Sequence, residues 1–389
     1  MTQNVTPVEA FVADFEAVNG LLAGNDLPWL SSLRRSGIEQ FSGQGLPHAK
    51  LEAWKYTRLR PLEDTSFRPV NDADGSAGVA SIPAVLPSDS SHPRIVFVNG
   101  TLRPDLSWLD ALPDGVSIES LGQVIASDPE WVGAHLGRIG RLDGQPLTAL
   151  NTAMMNCGCV IRVRRGVVVE APIEVIYVAG LTDSPVAYHP RNLIVMEENS
   201  QATIVKLHAG LGVGAYFANA VTEVEVGDGA TLRHYRVQSE NRESTHLANL
   251  NVRIGKDATY DGFGLHLGGR LSRTDVFARL EGEGGHCGLN GAYLMKGREH
   301  CDTTTVIEHH AAHTTCREIF KGIIDDEARG VFQGKIIVHP GAQQIDGHQL
   351  SNALLLSDRA EMDAKPELEI YADDVKCSHG ATTGKLDDT

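Results

Sequence analysis

Cysteine is scarce in this chain: six among 389 residues, at 157, 159, 287, 301, 316 and 377. Six thiols at such irregular spacing do not make the disulfide framework of a small secreted domain. Reduced thiols and a cytoplasmic location are expected. Basic residues are also in short supply, with Lys+Arg 34 against Asp+Glu 50 and a net charge of −16. Nucleic acid needs a basic face and an anionic membrane surface needs the same, so neither partner is expected. The opening stretch "MTQNVTPVEAFVADFEAV" lacks a basic start followed by an apolar run, which argues against a signal peptide. No segment approaches the ~18 uninterrupted apolar residues of a membrane span. Motifs of nucleotide chemistry are missing too. "GATTGKL" is one residue short between its glycines and lacks the Ser/Thr of a phosphate loop, and "GLGVG" is not a dinucleotide fingerprint. There is no H-E-x-x-H and no G-x-S-x-G. The chain is therefore expected to bind no nucleotide and to carry no catalytic centre of its own.

What is present begins with helix signals. Thr6 can cap, Pro7 stands at the first helical position, and Glu9 completes a capping box. Val8, Phe11, Val12, Phe15, Val18 and Leu22 then share one face. A second helix is expected from Pro28, with Trp29, Leu30, Leu33, Ile38 and Phe41 as its apolar residues and "SGQG" at its end. "LPHAKLEAWKYTRLRPLED" predicts a short helix with Trp54 and Tyr56 packed inward. The stretch from Asn71 to Pro93 has linker composition, and "RIVFVNG" predicts a strand and a turn. From about residue 150 the pattern changes to Val/Ile runs cut by Gly, Asp and Asn. Ala202, Ala230 and Ala258 recur 28 apart, each followed by Thr (203, 231, 259), and Gly285 stands 27 further on. A small residue at a fixed phase suits the inside of a corner in a stacked coil. "DDEARGVF", "HPGAQQI" and "SDRAEMD" continue the series. The fold expected is mainly β, a parallel β-helix core over 150–389, with an N-terminal α-helical region over 1–70 and a linker and mixed α/β segment over 71–149. An antiparallel meander or sandwich is the alternative; a doubly wound sheet is disfavoured by the lack of helices between strands.

The chemistry-bearing candidates lie late in the chain. If "VKCSH" is a strand, Cys377 and His379 point to one face and Ser378 to the other. Their Cα atoms are then about 6.5–7 Å apart. A thiolate and an imidazole at that separation can address one iron or zinc ion, or two metals of one cluster. Two ligands do not complete such a site, so the remainder has to come from elsewhere, including another chain. The competing reading is a buried cysteine beside a hydrogen-bonded histidine. Asp373 and Asp374 before it read as a solvated bend. "EHCDTTTVIEHHAAHTTC" holds His300, Cys301, His309, His310, His313 and Cys316. Its composition favours strands, and it reads mostly as surface histidines, with an opportunistic metal site as the alternative. "NCGCV" puts Cys157 and Cys159 on one strand face and reads as two half-buried thiols.

The run "FKGIIDDEARGVFQGKIIVHPGAQQIDGHQLSNALLLSDRAEMDAKPELEIYADDVKCSHGAT", and above all "KPELEIYADDVKCSHGAT", resembles the C-terminal core of the SufB/SufD family, scaffold subunits of the SUF iron–sulfur cluster assembly machine. "PHAKLEAWKYTRL" is similar to the N-terminal region of that family. Gly380, where SufB-type sequences carry Glu, puts the resemblance on the SufD branch. The resemblance implies a right-handed parallel β-helix. It implies pairing with a SufB-type scaffold, or with a second copy, through the C-terminal coils. It also implies a transient iron–sulfur cluster or iron shared at that joint, with His379 and neighbouring Cys377 contributed from this side. A SufC-type ATPase drives the joint in the family and contacts a C-terminal helical arm beyond "GKLDD". The sequence stops at Thr389, so the arm is expected to be absent and docking of the ATPase on this chain stays open. Two other readings stand beside a scaffold: a β-helix enzyme acting on acidic polysaccharides, and an architectural homodimer in which Cys-x-His is structural.

Overall fold

The computed structural model describes residues 5–76, 81–82, 85–86, 92–110, 112–180 and 182–385. Two long sheets are wound by one chain that alternates between them. The first sheet runs, in hydrogen-bonded order, through Glu361–Ile370, Arg329–Val338, His300–His309, Leu271–Leu280, Thr245–Ile254, Tyr216–Val226, Arg191–Met196, Cys159–Val163 and Val116–Ser120. The second runs through Val375–Lys385, Ile345–Leu355, Thr315–Ile324, His286–Met295, Thr259–His266, Thr231–Ser239, Gln201–Leu211, Ile173–Gly180, Arg94–Val98 and Thr101–Leu102. Pairing is parallel throughout except at the far end, where Val116–Ser120 and Thr101–Leu102 turn back antiparallel. This is the expected parallel β-solenoid, and neither the meander nor the sandwich.

The corners explain the repeat. Thr231 pairs with Gln201 on one side and Thr259 on the other, so Ala230 stacks between Ser200 and Ala258. Ala202 is therefore not the counterpart of Ala230, as its spacing suggested; it lies two residues into its strand, still facing inward. The column of corner residues is Ser200, Ala230, Ala258, Gly285, Thr314 and Ile345. Each follows a residue with positive φ: Asn199 (57°), Gly229 (68°), Asp257 (51°), Gly284 (74°), His313 (58°) and Gln344 (59°). The left-handed conformation turns the chain sharply enough for a coil to close. It costs least at Gly and little at Asn, Asp and His. His313 is accounted for by this backbone role.

Strand alternation fills the interior. Ile161, Val175, Ile194, Val224, Val252, Val276, Ile307 and Ile336 form a continuous apolar core. Outward residues of the first sheet, Phe217, Leu247 and Leu271, receive the N-terminal helices. Helix Pro7–Val18 carries the expected capping box between Thr6 and Glu9 and buries Phe11 and Phe15. Helix Pro28–Gln44 buries Leu30, Ile38 and Phe41 and ends at Gly45 (φ 71°). Gly37 lets this helix close on the buried helix Pro146–Met154, because a Cβ there would stand 2.8 Å from the Ala149 carbonyl oxygen. The segment near residue 50 is a 3-10 turn, Glu52–Trp54, and a short helix, Arg60–Asp64. Trp54 is buried under the Arg273 guanidinium, 3.9 Å from ring centroid to Cζ. Tyr56 is not packed inward as expected: it lies half-exposed beside Lys55, since Thr57 takes the inward place and donates to Asp302. Strand Arg94–Val98 with its turn at Asn99–Gly100 appears as predicted, whereas much of the 71–93 linker lies outside the described residues.

Candidate functional site

The last two strands of the solenoid are Glu361–Ile370 and Val375–Lys385, and among the described residues each is hydrogen-bonded to a neighbour on one side only. A coil paired on one side presents a row of unpaired backbone groups and the cross-section of its core. Cys377 and His379 stand on the second of these strands. Alternation points both to the interior side, while Ser378 faces outward, its Oγ 2.6 Å from His348 Nδ1. Cys377 is half-buried against the end of the apolar core and His379 is exposed. Burial pushes the Cys377 thiol above its ordinary value. Asp373 and Asp374 are exposed in the bend before it.

Register connects both residues to columns that run down the inside of the second sheet. Tyr260, Cys287, Cys316, Gly347 and Cys377 occupy successive rungs of one column. Gly347 has no side chain to separate the sulfurs above and below; a Cβ there would touch Cys316 Sγ at 3.3 Å and Cys377 Sγ at 3.5 Å. The second column is Leu289, Glu318, Gln349 and His379. Gln349 Nε2 donates to Glu318 Oε2 at 2.7 Å, and both side chains are buried. Desolvation raises the Glu318 carboxyl from 4.5 to about 7. Glu318 and Gln349 belong to no local motif, yet they precede His379 by 61 and 30 residues, two rungs and one, a spacing that marks them once the sequence is aligned by rung.

The other thiols and histidines separate sharply. Cys157 and Cys159 share a face but are fully buried rather than half-buried; burial raises both thiols, Cys159 to about 12. The late histidine cluster is not mostly surface. His300 is largely enclosed and faces Thr57, and His309 points into the core with Nε2 3.2 Å from Cys316 Sγ. Only His310 and His313 face solvent. Cys301 and Cys316 are core residues. Alternation along strands His300–His309 and Thr315–Ile324, not composition, decides these placements.

A polar chamber lies mid-solenoid. His208, Glu240 and His246 bring one donor atom each within 4.8 Å of one another, and His246 Nδ1 is 2.9 Å from Glu240 Oε2. Lys206 is buried and Arg236 half-buried beside them, and among the described residues neither forms an ion pair. Burial and the neighbouring guanidinium bring the Lys206 ammonium down to about 7. An unpaired guanidinium next to these ligands opposes a dication, so this set is a poorer metal centre than its donors suggest.

Comparison with known proteins covers nearly the whole chain. Residues 179–389 match the family model "SUF system FeS cluster assembly, SufBD core domain", and residues 6–175 match "SufBD protein N-terminal region". The chain is 32% identical over 353 residues to the iron–sulfur cluster assembly protein SufD of Escherichia coli, covering 90% of this chain and 80% of that one. It is 30% identical over 376 residues to a SufBD family iron–sulfur assembly protein of Synechocystis, covering 94% and 82%. It is 25% identical over 370 residues to SufD of Bacillus subtilis, covering 92% and 83%. No helix among the described residues is long and apolar enough to cross a membrane.

Proposed function

The chain belongs to the SufB/SufD family of iron–sulfur cluster assembly proteins, and from that premise we propose that it is a non-catalytic scaffold subunit of a cytoplasmic assembly complex. Its last coil joins the last coil of a SufB-type partner, and a nascent iron–sulfur cluster or iron, the cargo, is held across the joint. His379 supplies a neutral nitrogen and Cys377 a thiolate from this side. A SufC-type ATPase acting on the complex opens and closes the joint; a second copy of this chain is the other partner that such an edge accepts.

The observation that carries this reading is the placement of an exposed imidazole and a half-buried thiol, two residues apart on one face, on a strand with a free edge. Among the described residues the Cys377 thiol meets a backbone group of Gly347 and is otherwise left to an incoming ligand, and two donors leave a coordination sphere to be completed. Burial favours the protonated thiol at Cys377, so metal binding there has to release the proton to solvent as the sulfur–metal bond forms. Co-expression with a SufB-type scaffold and its ATPase, followed by anaerobic reconstitution, tests the proposal. His379→Ala is expected to abolish the cluster chromophore while the complex still assembles. Reconstitution at the wild-type level would contradict it.

A further inference from the structure

We propose that Glu308, His310 and His339 form a second, separate metal site that takes one borderline divalent cation of the first transition row. The three residues come together through register. Strands His300–His309 and Arg329–Val338 pair in parallel with His309 opposite Val338, so the residues that follow, His310 and His339, stack at the same corner. The His339 N–H donates to the His309 carbonyl at 3.0 Å, and the His310 N–H to the Leu280 carbonyl at 3.0 Å, which fixes both backbones. The imidazole planes stack with centroids 4.0 Å apart and 16° between planes.

Both rings turn the same nitrogen toward one oxygen. His339 Nε2 is 3.1 Å and His310 Nε2 3.3 Å from Glu308 Oε2. All three donor atoms lie within 4.8 Å of one another. Ligand bonds of about 2.0–2.2 Å place neighbouring donors roughly 3.0–3.4 Å apart, in octahedral or tetrahedral geometry. Both histidine–carboxylate separations already fall in that range, and one imidazole has to turn out of the stack for the two nitrogen lone pairs to converge on one ion. Two imidazoles and one carboxylate, with the remaining positions open to water, suit Fe(II), Co(II) or Zn(II) rather than the hard all-oxygen sites of calcium or magnesium. The rings are half-exposed, so metal can enter.

The surroundings hold the carboxylate in place. Arg141 reaches Glu308 Oε1 at 3.4 Å, leaving Oε2 for the metal. Glu281 on the preceding rung attracts a cation, and Arg279 beside it opposes one. The corner is distinct from the last-coil pair: His379 belongs to the other sheet.

Cobalt(II) serves as the probe because its visible bands report donor type. The full chain carrying Cys377→Ser and His379→Ala, so that the edge pair does not contribute, is dialysed against Co(II). The expected result is one cobalt per chain with nitrogen/oxygen-type bands, falling to none with His310→Ala plus His339→Ala and weakened by Glu308→Gln. These positions are solvent-facing, and circular dichroism checks that the variants fold. Cobalt retained by the double-alanine variant, or no cobalt bound by the parent, overturns the proposal. Either outcome leaves the cluster chromophore test of the last coil unaffected.

Discussion

Glu318 provides a quantitative test of the buried column below His379. Its carboxyl is buried against Gln349, and desolvation raises it from 4.5 to about 7. The folded protein therefore keeps a proton that the unfolded chain has lost. An acid raised on folding leaves stability untouched below about pH 4.5, erodes it as pH climbs toward 7, and imposes a constant penalty above that. The interval from 4.5 to about 7, at 1.36 kcal/mol per pH unit, amounts to about 3 kcal/mol. Glu318→Gln removes the ionisation and keeps an oxygen for Gln349 Nε2. Urea unfolding at pH 4.5 and pH 8 should show the variant equal to wild type at the lower pH and more stable by about 3 kcal/mol at the higher, with unchanged m-values. Equal effects at both pH values would refute the reasoning, because the carboxyl would then not be protonated on folding. So would a loss of stability at pH 8.

Arg273→Met should cost about 3–5 kcal/mol, because it leaves buried Asp275 and Asp302 without their cation and uncovers Trp54; thermal melts and tryptophan emission measure it, and an unchanged melting point would contradict the assignment. Native-state thiol labelling should modify one of the six cysteines, Cys377, with all six reacting in urea and none natively in Cys377→Ser. Burial raises that thiol above its ordinary 9.0, so the labelling rate should keep rising with pH beyond the point where a free cysteine levels off. Thr6→Ala removes the hydroxyl that accepts from the Glu9 N–H and should cost about 1 kcal/mol in a melt.

Local rules carried much of the fold. Thr6, Pro7 and Glu9 announce the first helix because capping is settled within four residues. Period-two alternation placed Cys377 and His379 together for the same reason. What depends on register was harder. The Ala-Thr spacing equates Ala202 with Ala230, but the coil between Gln201 and Thr231 is two residues longer than the next, and only strand pairing reveals that Ser200 holds the corner. His309 has the same neighbours in composition as His310, yet one lies in the core and the other at the surface, because a single residue of phase reverses direction. The Arg191–Glu223 pair, wholly buried and tied to the Gly137 and Ile139 N–H groups, joins the helical layer to the solenoid across long sequence separations. No local pattern marks it. The family resemblance supplied an incomplete site; the free edge of strand Val375–Lys385 supplied a physical reason for incompleteness.

The most direct measurement asks whether a nitrogen of this chain touches the cargo. The chain is labelled with ¹⁵N-histidine, assembled with an unlabelled SufB-type partner, reconstituted anaerobically and examined by pulsed electron paramagnetic resonance in a paramagnetic state. A ¹⁵N coupling in the wild-type complex that persists in His348→Ala, with the whole cluster signal lost in His379→Ala, is the predicted result. A cluster signal of normal intensity with no ¹⁵N coupling from this chain would contradict the account.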